Sequence, residues 1–226
     1  MFNLTSVAKG VLVRSPFARY AFPTYPYNFT PSQLCFLCQC LEETRGLPGN
    51  ALEVGCWKGA TSIFLVKYLQ AQGINRPYYA IDTFAGFTTE DIDYEAQSRG
   101  KDRRLFNYFA ANSQEWFDAT MRRNGVAEIT SITADVNRFD LRSLGPVAFC
   151  LLDVDLFRPI LKSLHELYEA LAPGGVIVVD DCDATNLRWD GSDEAYRTFM
   201  AERHEAPQIV HGKLGIVRKP VQDRAR

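Results

Sequence analysis

Two short acidic motifs each follow a run of apolar residues that has the composition of a buried strand. Asp153 and Asp155 follow the first run, and Asp180 and Asp181 follow the second. If the two strands are neighbours, their carboxylates converge, and converging carboxylates repel one another unless they face water, pair with Lys or Arg, or share a cation. Oxygen ligands of this kind suit Mg²⁺, with Mn²⁺ as the alternative. Asp153, Asp180 and Asp181 are therefore the predicted metal ligands.

Asp155 is the candidate general base. It lies two residues beyond Asp153, where its side chain can face a hydroxyl held near the cation, and an alcohol is a poor nucleophile until it loses its proton. The competing interpretation is a surface or helix-capping carboxylate. The three histidines are interpreted as structural, because the sequence shows no carboxylate that would orient them. His211, at a predicted hairpin tip, is the best placed of the three.

Other strand ends carry residues suited to a nucleoside. Gly55 and Gly59 follow the first predicted strand, but they lack the three-glycine spacing of dinucleotide-binding turns, which argues against a nicotinamide oxidoreductase. Asp82 ends the second strand, where a carboxylate can accept both ribose hydroxyls. Asp135 follows the third strand, within reach of an adenine amino group. The pattern favours a nucleoside cofactor without a pyrophosphate.

A mainly parallel sheet must position these residues. Strands that are apolar on both faces alternate with amphipathic helices, which is typical of a sheet covered on both sides. The predicted strands are 51–54, 78–82, 128–133, 147–153 and 175–179, the predicted helices are 31–45, 60–72, 113–123, 159–171 and 193–203, and an antiparallel pair, 208–210 and 214–218, closes the chain. We expect an α/β, Rossmann-like, doubly wound fold with seven strands.

The chain divides into two predicted parts. Residues 1–49 form an N-terminal aromatic segment and helix, expected to serve as a lid or a dimer contact, and residues 50–226 form the main domain. Within that domain, residues 84–112 are predicted to be a lid insertion, because long connections in compact domains are commonly binding loops. Cys35 and Cys38 fall on the apolar face of the first helix and are interpreted as small core residues.

Composition excludes several classes of protein. The chain has 226 residues and a formal net charge of -2, and it shows no basic face of the kind that binds nucleic acid. No window approaches the roughly 18 apolar residues that a membrane span needs. The first residues lack the apolar core and cleavage site of a secretory signal, so the expected location is cytoplasmic.

Four motifs in this order resemble those of class I S-adenosylmethionine-dependent methyltransferases, and most of all the macrocin-type O-methyltransferases. The motifs are Glu53-x-Gly55-x-x-x-Gly59, Ile81-Asp82-Thr83-Phe84-x-Gly86-Phe87, Asp153-Val154-Asp155-Leu156-Phe157 and Pro173-Gly174-Gly175-x-Ile177-x-x-Asp180-Asp181. The resemblance covers about residues 50–182 and continues more weakly to 218. Cys182 stands where an aromatic residue is common in the family, and the segment 84–122 has no matching motif.

The resemblance implies a function. Members of this family methylate sugar hydroxyls of macrolides and related natural products, bind S-adenosylmethionine and Mg²⁺, and often form homodimers. The residues that this implies for the cofactor are Glu53, Gly55, Gly59, Asp82, Asp135 and Asp153. Two alternatives stay open: methylation of a catechol or other phenol, and a non-catalytic protein that binds S-adenosylmethionine, since a fold does not fix a function.

Overall fold

A single seven-stranded sheet forms the centre of the molecule. The computed structural model describes residues 4–16, 18 and 24–221. The strands are β1 Asn50–Val54, β2 Tyr78–Asp82, β3 Thr130–Thr133, β4 Val147–Leu152, β5 Leu171–Val179, β6 Ile209–Val210 and β7 Leu214–Arg218, in the spatial order β3-β2-β1-β4-β5-β7-β6. Strands β1 to β5 pair in parallel, and β7 is antiparallel to both β5 and β6. The predicted Rossmann-like α/β fold with a closing antiparallel pair is confirmed.

Helices cover both faces of this sheet. Those in the described part of the chain are α1 Leu4–Leu12, α2 Pro31–Glu43, α3 Ala60–Ala71, α4 Thr89–Ser98, α5 Gln114–Arg123, α6 Phe157–Ala170 and α7 Asp190–Glu202, with 3-10 turns at Arg103–Phe106 and Leu141–Leu144. Helix α2 begins as the sequence predicts, because Thr30 and Gln33 form a reciprocal capping box and Pro31 occupies the first turn. None of the helices in the described ranges is long and apolar enough to cross a bilayer.

Strand β4 shows why the central strands are apolar throughout. All six of its residues are buried. Phe149 and Leu151 pack in the core layer that contains residues of α2 and α3, whereas Cys150 and Leu152 pack in the layer that contains residues of α6 and α7. Because successive side chains of a strand point to opposite faces, two covered faces require an unbroken apolar run. Polar residues can therefore follow β4 only where the strand ends, at the carboxyl edge of the sheet.

The structure differs from the sequence predictions at a few positions. Residues 84–112 include helix α4, which was not predicted. Cys35 is exposed, so its assignment to the core was wrong, whereas Cys38 is buried as expected. Residues 1–3, 17 and 19–23 lie outside the described residues, and with them part of the predicted 1–49 segment.

Candidate cofactor and metal site

A cavity of about 720 Å³ lies beyond the carboxyl ends of strands β1 to β4. Ligands of doubly wound sheets bind at this edge, where the strand order reverses between β1 and β4. The predicted site residues in its wall are Glu53, Gly55, Asp82, Asp135, Asp153 and Asp155. Residues that the sequence placed at four different strand ends therefore meet around one cavity.

Asp82 holds the turn after β1 in place. Its Oδ2 accepts the backbone N–H groups of Cys56 at 2.9 Å and Trp57 at 2.8 Å, and its Oδ1 accepts the N–H of Phe84 at 2.7 Å. Both Trp57 and Phe84 have left-handed backbone conformations, which cost energy in residues with a side chain. One carboxylate thus stabilises two strained turns and still faces the cavity.

The two glycines after β1 differ in what they do. At Gly55, with φ +88°, a Cβ would lie 1.7 Å from the backbone oxygen of Asp153, so only glycine lets the β1 and β4 ends approach this closely. At Gly59, with φ +82°, a Cβ would lie 2.3 Å from Met121 and 2.7 Å from Phe117. Gly59 is not in the cavity wall, so its close neighbours are packing residues, and its cofactor contact stays a prediction.

Glu53 is a buried carboxyl in the cavity wall, 2% exposed. Its Oε2 accepts the hydroxyl groups of Ser62 at 2.5 Å and Tyr78 at 2.8 Å. Burial raises the pKa of Glu53 from its ordinary value of 4.5 to about 7, against the lowering effect of these two hydrogen bonds. The site therefore holds Glu53 protonated below neutral pH.

This raised pKa predicts a pH-dependent cost to stability. Between pH 4.5 and 7 the unfolded chain releases the Glu53 proton and the folded chain keeps it, so the free energy of unfolding falls by about 3 kcal/mol as the pH rises through this range. Glu53→Gln keeps the acceptor oxygen and does not titrate. We expect the variant to match wild type in urea unfolding at pH 4 and to exceed it at pH 8; a constant difference across this range would contradict the burial account.

Two further acidic residues, Asp135 and Asp91, also line the cavity. Asp135 accepts the backbone N–H of Asn137 at 2.9 Å, and the Asn137 side chain bridges Asp135 and Asp91. Asp91 is 5% exposed, and its Oδ1 has no hydrogen-bond partner among the residues that the structure describes. Burial and the charge of Asp135 raise the pKa of Asp91, against its hydrogen bonds from Thr88 and Asn137. Two acceptors are therefore held where the sequence predicted one.

Three carboxylates meet where β4 and β5 end. One oxygen from each of Asp153, Asp155 and Asp181 lies within 4.8 Å of the others. Asp155 and Asp181 have left-handed backbone conformations, with φ +61° and +56°. Strained residues of this kind persist only where the surrounding structure imposes them, and they cluster at functional sites. Asp153 and Asp155 also line the cavity, so this acidic cluster faces the space that a ligand would fill.

Asp180, the remaining predicted ligand, is turned toward a lysine. Lys213 Nζ lies 2.7 Å from Asp180 Oδ2 and 3.2 Å from Asp181 Oδ1, above the ring of Phe29. Asp180 Oδ1 is buried and has no hydrogen-bond partner in the described part of the chain. The structure thus brings Asp153 and Asp181 together with Asp155, whereas only the free Oδ1 of Asp180 is available to a ligand. The part that Asp180 plays stays a prediction.

Burial and mutual repulsion dominate the electrostatics of the cluster. Burial raises the pKa of Asp153 strongly, and the charges of Asp180, Asp155 and Asp181 add to the rise. Burial also raises the pKa of Asp155, with Asp181 and Asp180 adding to it. The pKa of Asp180 is raised to about 7 by burial, although Lys213 opposes the rise. One lysine does not neutralise these four carboxylates, and a bound divalent cation would offset two of the three remaining charges.

Aromatic side chains from outside the sheet also line the cavity. Phe87 and Phe109, from residues 84–112, contact Trp189 at ring distances of 5.7 and 6.0 Å. Arg188 lies over the ring of Tyr108, 3.8 Å from its centre, and donates to the carbonyl of Leu105. Pro26, Tyr27, Asn28 and Phe29 of the N-terminal segment are also part of this lining. Flat apolar faces beside fixed polar groups suit a sugar or a ring-bearing acceptor.

Sequence reasoning did not single out several of these residues. Lys213 lies in the β6–β7 turn, and its pairing with the acidic cluster has no signal in the sequence. Asp91 and Glu95 are buried on α4, whereas the sequence of a polar helix predicts that its acidic residues are exposed to solvent. Arg188 and Trp189 belong to no motif in the sequence, and large aromatic residues more often serve packing than ligand recognition.

This sheet, with its ligand cavity at the switch point and acids after successive strands, defines a Rossmann-like methyltransferase fold. The solved O-methyltransferase NovP shares it with a TM-score of 0.72 over 96% of this chain and 99% of that one, at 18% identity. The chain belongs to the macrocin-O-methyltransferase (TylF) family, whose sequence model matches residues 30–209. The resemblance drawn from the four motifs is thereby confirmed.

Two curated relatives are similar in sequence. One is the 8-demethyl-8-(2,3-dimethoxy-alpha-L-rhamnosyl)-tetracenomycin-C 4'-O-methyltransferase of Streptomyces olivaceus, 30% identical over 146 residues, which are 60% of this chain and 54% of that protein. The other is the mycinamicin III 3''-O-methyltransferase of Micromonospora griseorubida, 29% identical over 160 residues, which are 64% of this chain and 60% of that protein. The matches thus span little more than half of each relative's length.

Proposed function

We propose that this protein transfers the methyl group of S-adenosylmethionine to a hydroxyl of a sugar or glycoside, with help from a divalent cation, preferably Mg²⁺. The observation that carries this proposal is the acidic cluster of Asp153, Asp155 and Asp181, of which Asp153 and Asp155 line a cavity that also carries residues suited to a nucleoside. The family match supports the reaction type. The names of the two relatives support a glycoside as the acceptor.

The cofactor end fits S-adenosylmethionine without a phosphate site. Asp82 would accept ribose hydroxyls, and Asp135 would accept the adenine amino group. Gly55 leaves room for the cofactor to pass close to the backbone, and Glu53 and Asp153 would face its amino-acid end. When bound, S-adenosylmethionine supplies an activated methyl group on a positively charged sulfur.

The residues of the acidic cluster fit a hard divalent cation. Asp153, Asp181 and the free Oδ1 of Asp180 would hold it, since that buried oxygen has no partner within the described residues. These three carboxylates and Asp155 carry four negative charges, of which Lys213 offsets one. One divalent cation and one sulfonium would together supply the three positive charges that remain to be matched. The bound cation would supply Lewis-acid polarisation of the acceptor hydroxyl.

Asp155 would accept the proton that the acceptor hydroxyl loses. Asp155 and Asp153 line the cavity, whereas Asp180 and Asp181 are not part of its lining, so these two carboxylates of the β4–β5 edge would meet an acceptor. The buried setting of Asp155 disfavours charge and therefore favours proton uptake. Alignment of the hydroxyl with the methyl group would account for a large share of the rate, as positioning does in other group transfers.

Residues 84–112 and the N-terminal segment would enclose the acceptor. Phe87, Tyr108 and Phe109 of the former and Tyr27 of the latter line the cavity. Stacking of their rings on a sugar face would orient the acceptor and exclude water. We also propose that the N-terminal segment 1–49 contributes to a homodimer, as the family resemblance implies, and that nucleic acid is not a substrate.

Methylation assays test this proposal directly. The protein is incubated with S-adenosylmethionine, Mg²⁺ and a panel of rhamnosides, macrolide glycosides and catechols, and methylated products are detected by mass spectrometry. We expect transfer to a sugar hydroxyl, loss of activity in excess EDTA, and recovery on adding Mg²⁺. Activity on catechols alone would show that the acceptor is a phenol and not a sugar. Activity unaffected by EDTA would contradict the role of the divalent cation. Binding of S-adenosylmethionine without any methylated product would favour a non-catalytic protein.

A further inference from the structure

Helix α6, which follows Asp153 and Asp155, has no capping side chain of its own. Its N-cap residue is Leu156, which offers no acceptor to the first N–H groups of the helix. The carboxylate of Glu95, from helix α4, fills this role, since its Oε1 accepts the N–H of Phe157 at 2.9 Å. Glu95 is 1% exposed, so a buried charge from the 84–112 segment caps the helix that begins at the acidic cluster.

A buried arginine holds Glu95 in place. Arg99, one turn further along α4, pairs with Glu95 through Nη1, and its Nη2 lies 3.1 Å from Asp190 and 2.7 Å from Glu194. Lys101 also binds Asp190, at 2.5 Å. The side chains of Arg99 and Glu95 are 8% and 1% exposed, so this pair is shielded from solvent and from screening by salt, whereas Glu194, at 56%, lies at the surface. Helix α4 is thereby fixed to the start of α7.

The start of α7 contacts the same turn. A Cβ on Gly191 would lie 2.8 Å from the nitrogen of Phe157 and 3.0 Å from the backbone oxygen of Asp155, so α7 approaches this turn at its backbone. From the other side, the ring of Tyr94 stacks on Phe157 at 5.9 Å and 15°. The backbone of Asp155 and Phe157 therefore packs against α7, and Phe157 also packs against α4.

This turn needs such support. Asp155 has a left-handed backbone, and its carboxylate lies among carboxylates that repel it. Within the turn, the N–H of Leu156 donates to the oxygen of Val154 at 2.6 Å, which closes a tight local loop. A strained turn that carries a repelled side chain relaxes unless outside contacts hold it.

We infer that Glu95 is a positioning residue, which fixes Asp155 in its reactive position through the hydrogen bond to Phe157 and so couples the 84–112 segment to the reaction. The inference rests on the proposed function, because it assigns Asp155 a role in turnover. Glu95 acts through the backbone and does not line the cavity. Loss of its hydrogen bond should therefore lower kcat and leave affinity for S-adenosylmethionine nearly unchanged.

A pair of variants differs in this hydrogen bond. Phe157 is the first residue of α6, where proline is tolerated, and Leu156 before it has ψ 151°, which suits a residue that precedes proline. Phe157→Pro replaces the N–H by a ring carbon that faces the Glu95 carboxylate and also removes the aromatic ring, whereas Phe157→Ala removes only the aromatic ring. We expect kcat of Phe157→Pro to be about tenfold below that of Phe157→Ala, as befits loss of a charge-assisted hydrogen bond, with similar Kd for S-adenosylmethionine. Equal kcat in the two variants would overturn the inference.

Substitution of Glu95 gives a second, activity-independent test. In Glu95→Ala we expect the Phe157 amide to exchange with deuterium at least about tenfold faster, and Glu95→Gln, which retains an acceptor, to restore most of the protection and of kcat. Asp93→Asn is the matched control, since Asp93 lies on the same helix but pairs with Arg103, away from the turn. Unchanged exchange in Glu95→Ala would overturn the inference. A wild-type protein that methylates nothing would instead defeat the proposed function, and amide exchange would still judge the role of Glu95.

Discussion

Replacing Asp153 by Asn is expected to abolish Mg²⁺ binding and to lower methyl transfer by at least about 10³-fold, since polarisation by a bound cation is worth several kcal/mol. Asp153 is both a member of the acidic cluster and part of the cavity wall. Its removal therefore takes away a ligand at the point where the cation would meet the acceptor. Isothermal titration with Mg²⁺ and initial rates of product formation measure the two effects.

Asp183→Asn is the matched control for this variant. Asp183 lies two residues beyond Asp181, and its carboxylate accepts from the N–H and hydroxyl of Thr185, a turn that asparagine also supports. We expect Mg²⁺ affinity and rate to equal those of wild type. If Asp153→Asn bound Mg²⁺ as tightly as this control, the cation would have to be held elsewhere.

Replacing Asp155 by Asn is expected to lower kcat by about 10²- to 10⁴-fold, the range over which general bases act. Binding of S-adenosylmethionine and of Mg²⁺ should stay within tenfold of wild type, because the proposed ligands are untouched. The loss of one repelling carboxylate should also raise the Tm of the metal-free protein, since burial and the neighbouring charges oppose ionisation of Asp155. Kinetics, calorimetric titration and thermal unfolding measure these effects.

The three readouts separate the two roles open to Asp155. Wild-type turnover in Asp155→Asn would exclude it as the base. Loss of Mg²⁺ affinity with loss of turnover would instead make it a ligand, in keeping with its position within 4.8 Å of Asp153 and Asp181. Asp180 would then be left to Lys213 alone.

Much of the fold follows from local sequence patterns. Thr30 and Gln33 specify the start of α2, and the turn 211–213 specifies the closing hairpin, because these signals act over a few residues. The strand-end rule also placed Asp82 and Asp153 correctly in one cavity wall, since the carboxyl ends of parallel strands share an edge.

Helix α4 could not be predicted from local sequence patterns. Its buried residues are Asp91 and Glu95, so its inward face is acidic and gives no hydrophobic periodicity. Two of the groups that pair with these carboxylates lie far along the chain, since Asn137 donates to Asp91 and the N–H of Phe157 donates to Glu95. A helix that buries carboxylates can be predicted only once the groups that pair with those carboxylates are known.

The acidic cluster illustrates the same limit at the level of a side chain. Asp180 and Asp181 are adjacent, yet one binds Lys213 most closely and the other faces Asp153 and Asp155. Asp181 has a left-handed backbone, φ +56°, and the sequence around it gives no signal of that conformation. The sequence predicts which residues gather at this edge, and the backbone determines which of them point together.

Anomalous diffraction from crystals grown with Mn²⁺ and S-adenosylhomocysteine tests the central claim most directly. Mn²⁺ takes the same oxygen ligands as Mg²⁺ and marks its own position. We predict one strong anomalous peak about 2.1 Å from carboxylate oxygens of Asp153 and Asp181, beside the sulfur of S-adenosylhomocysteine. Density for S-adenosylhomocysteine in the cavity with no peak among these carboxylates would contradict it.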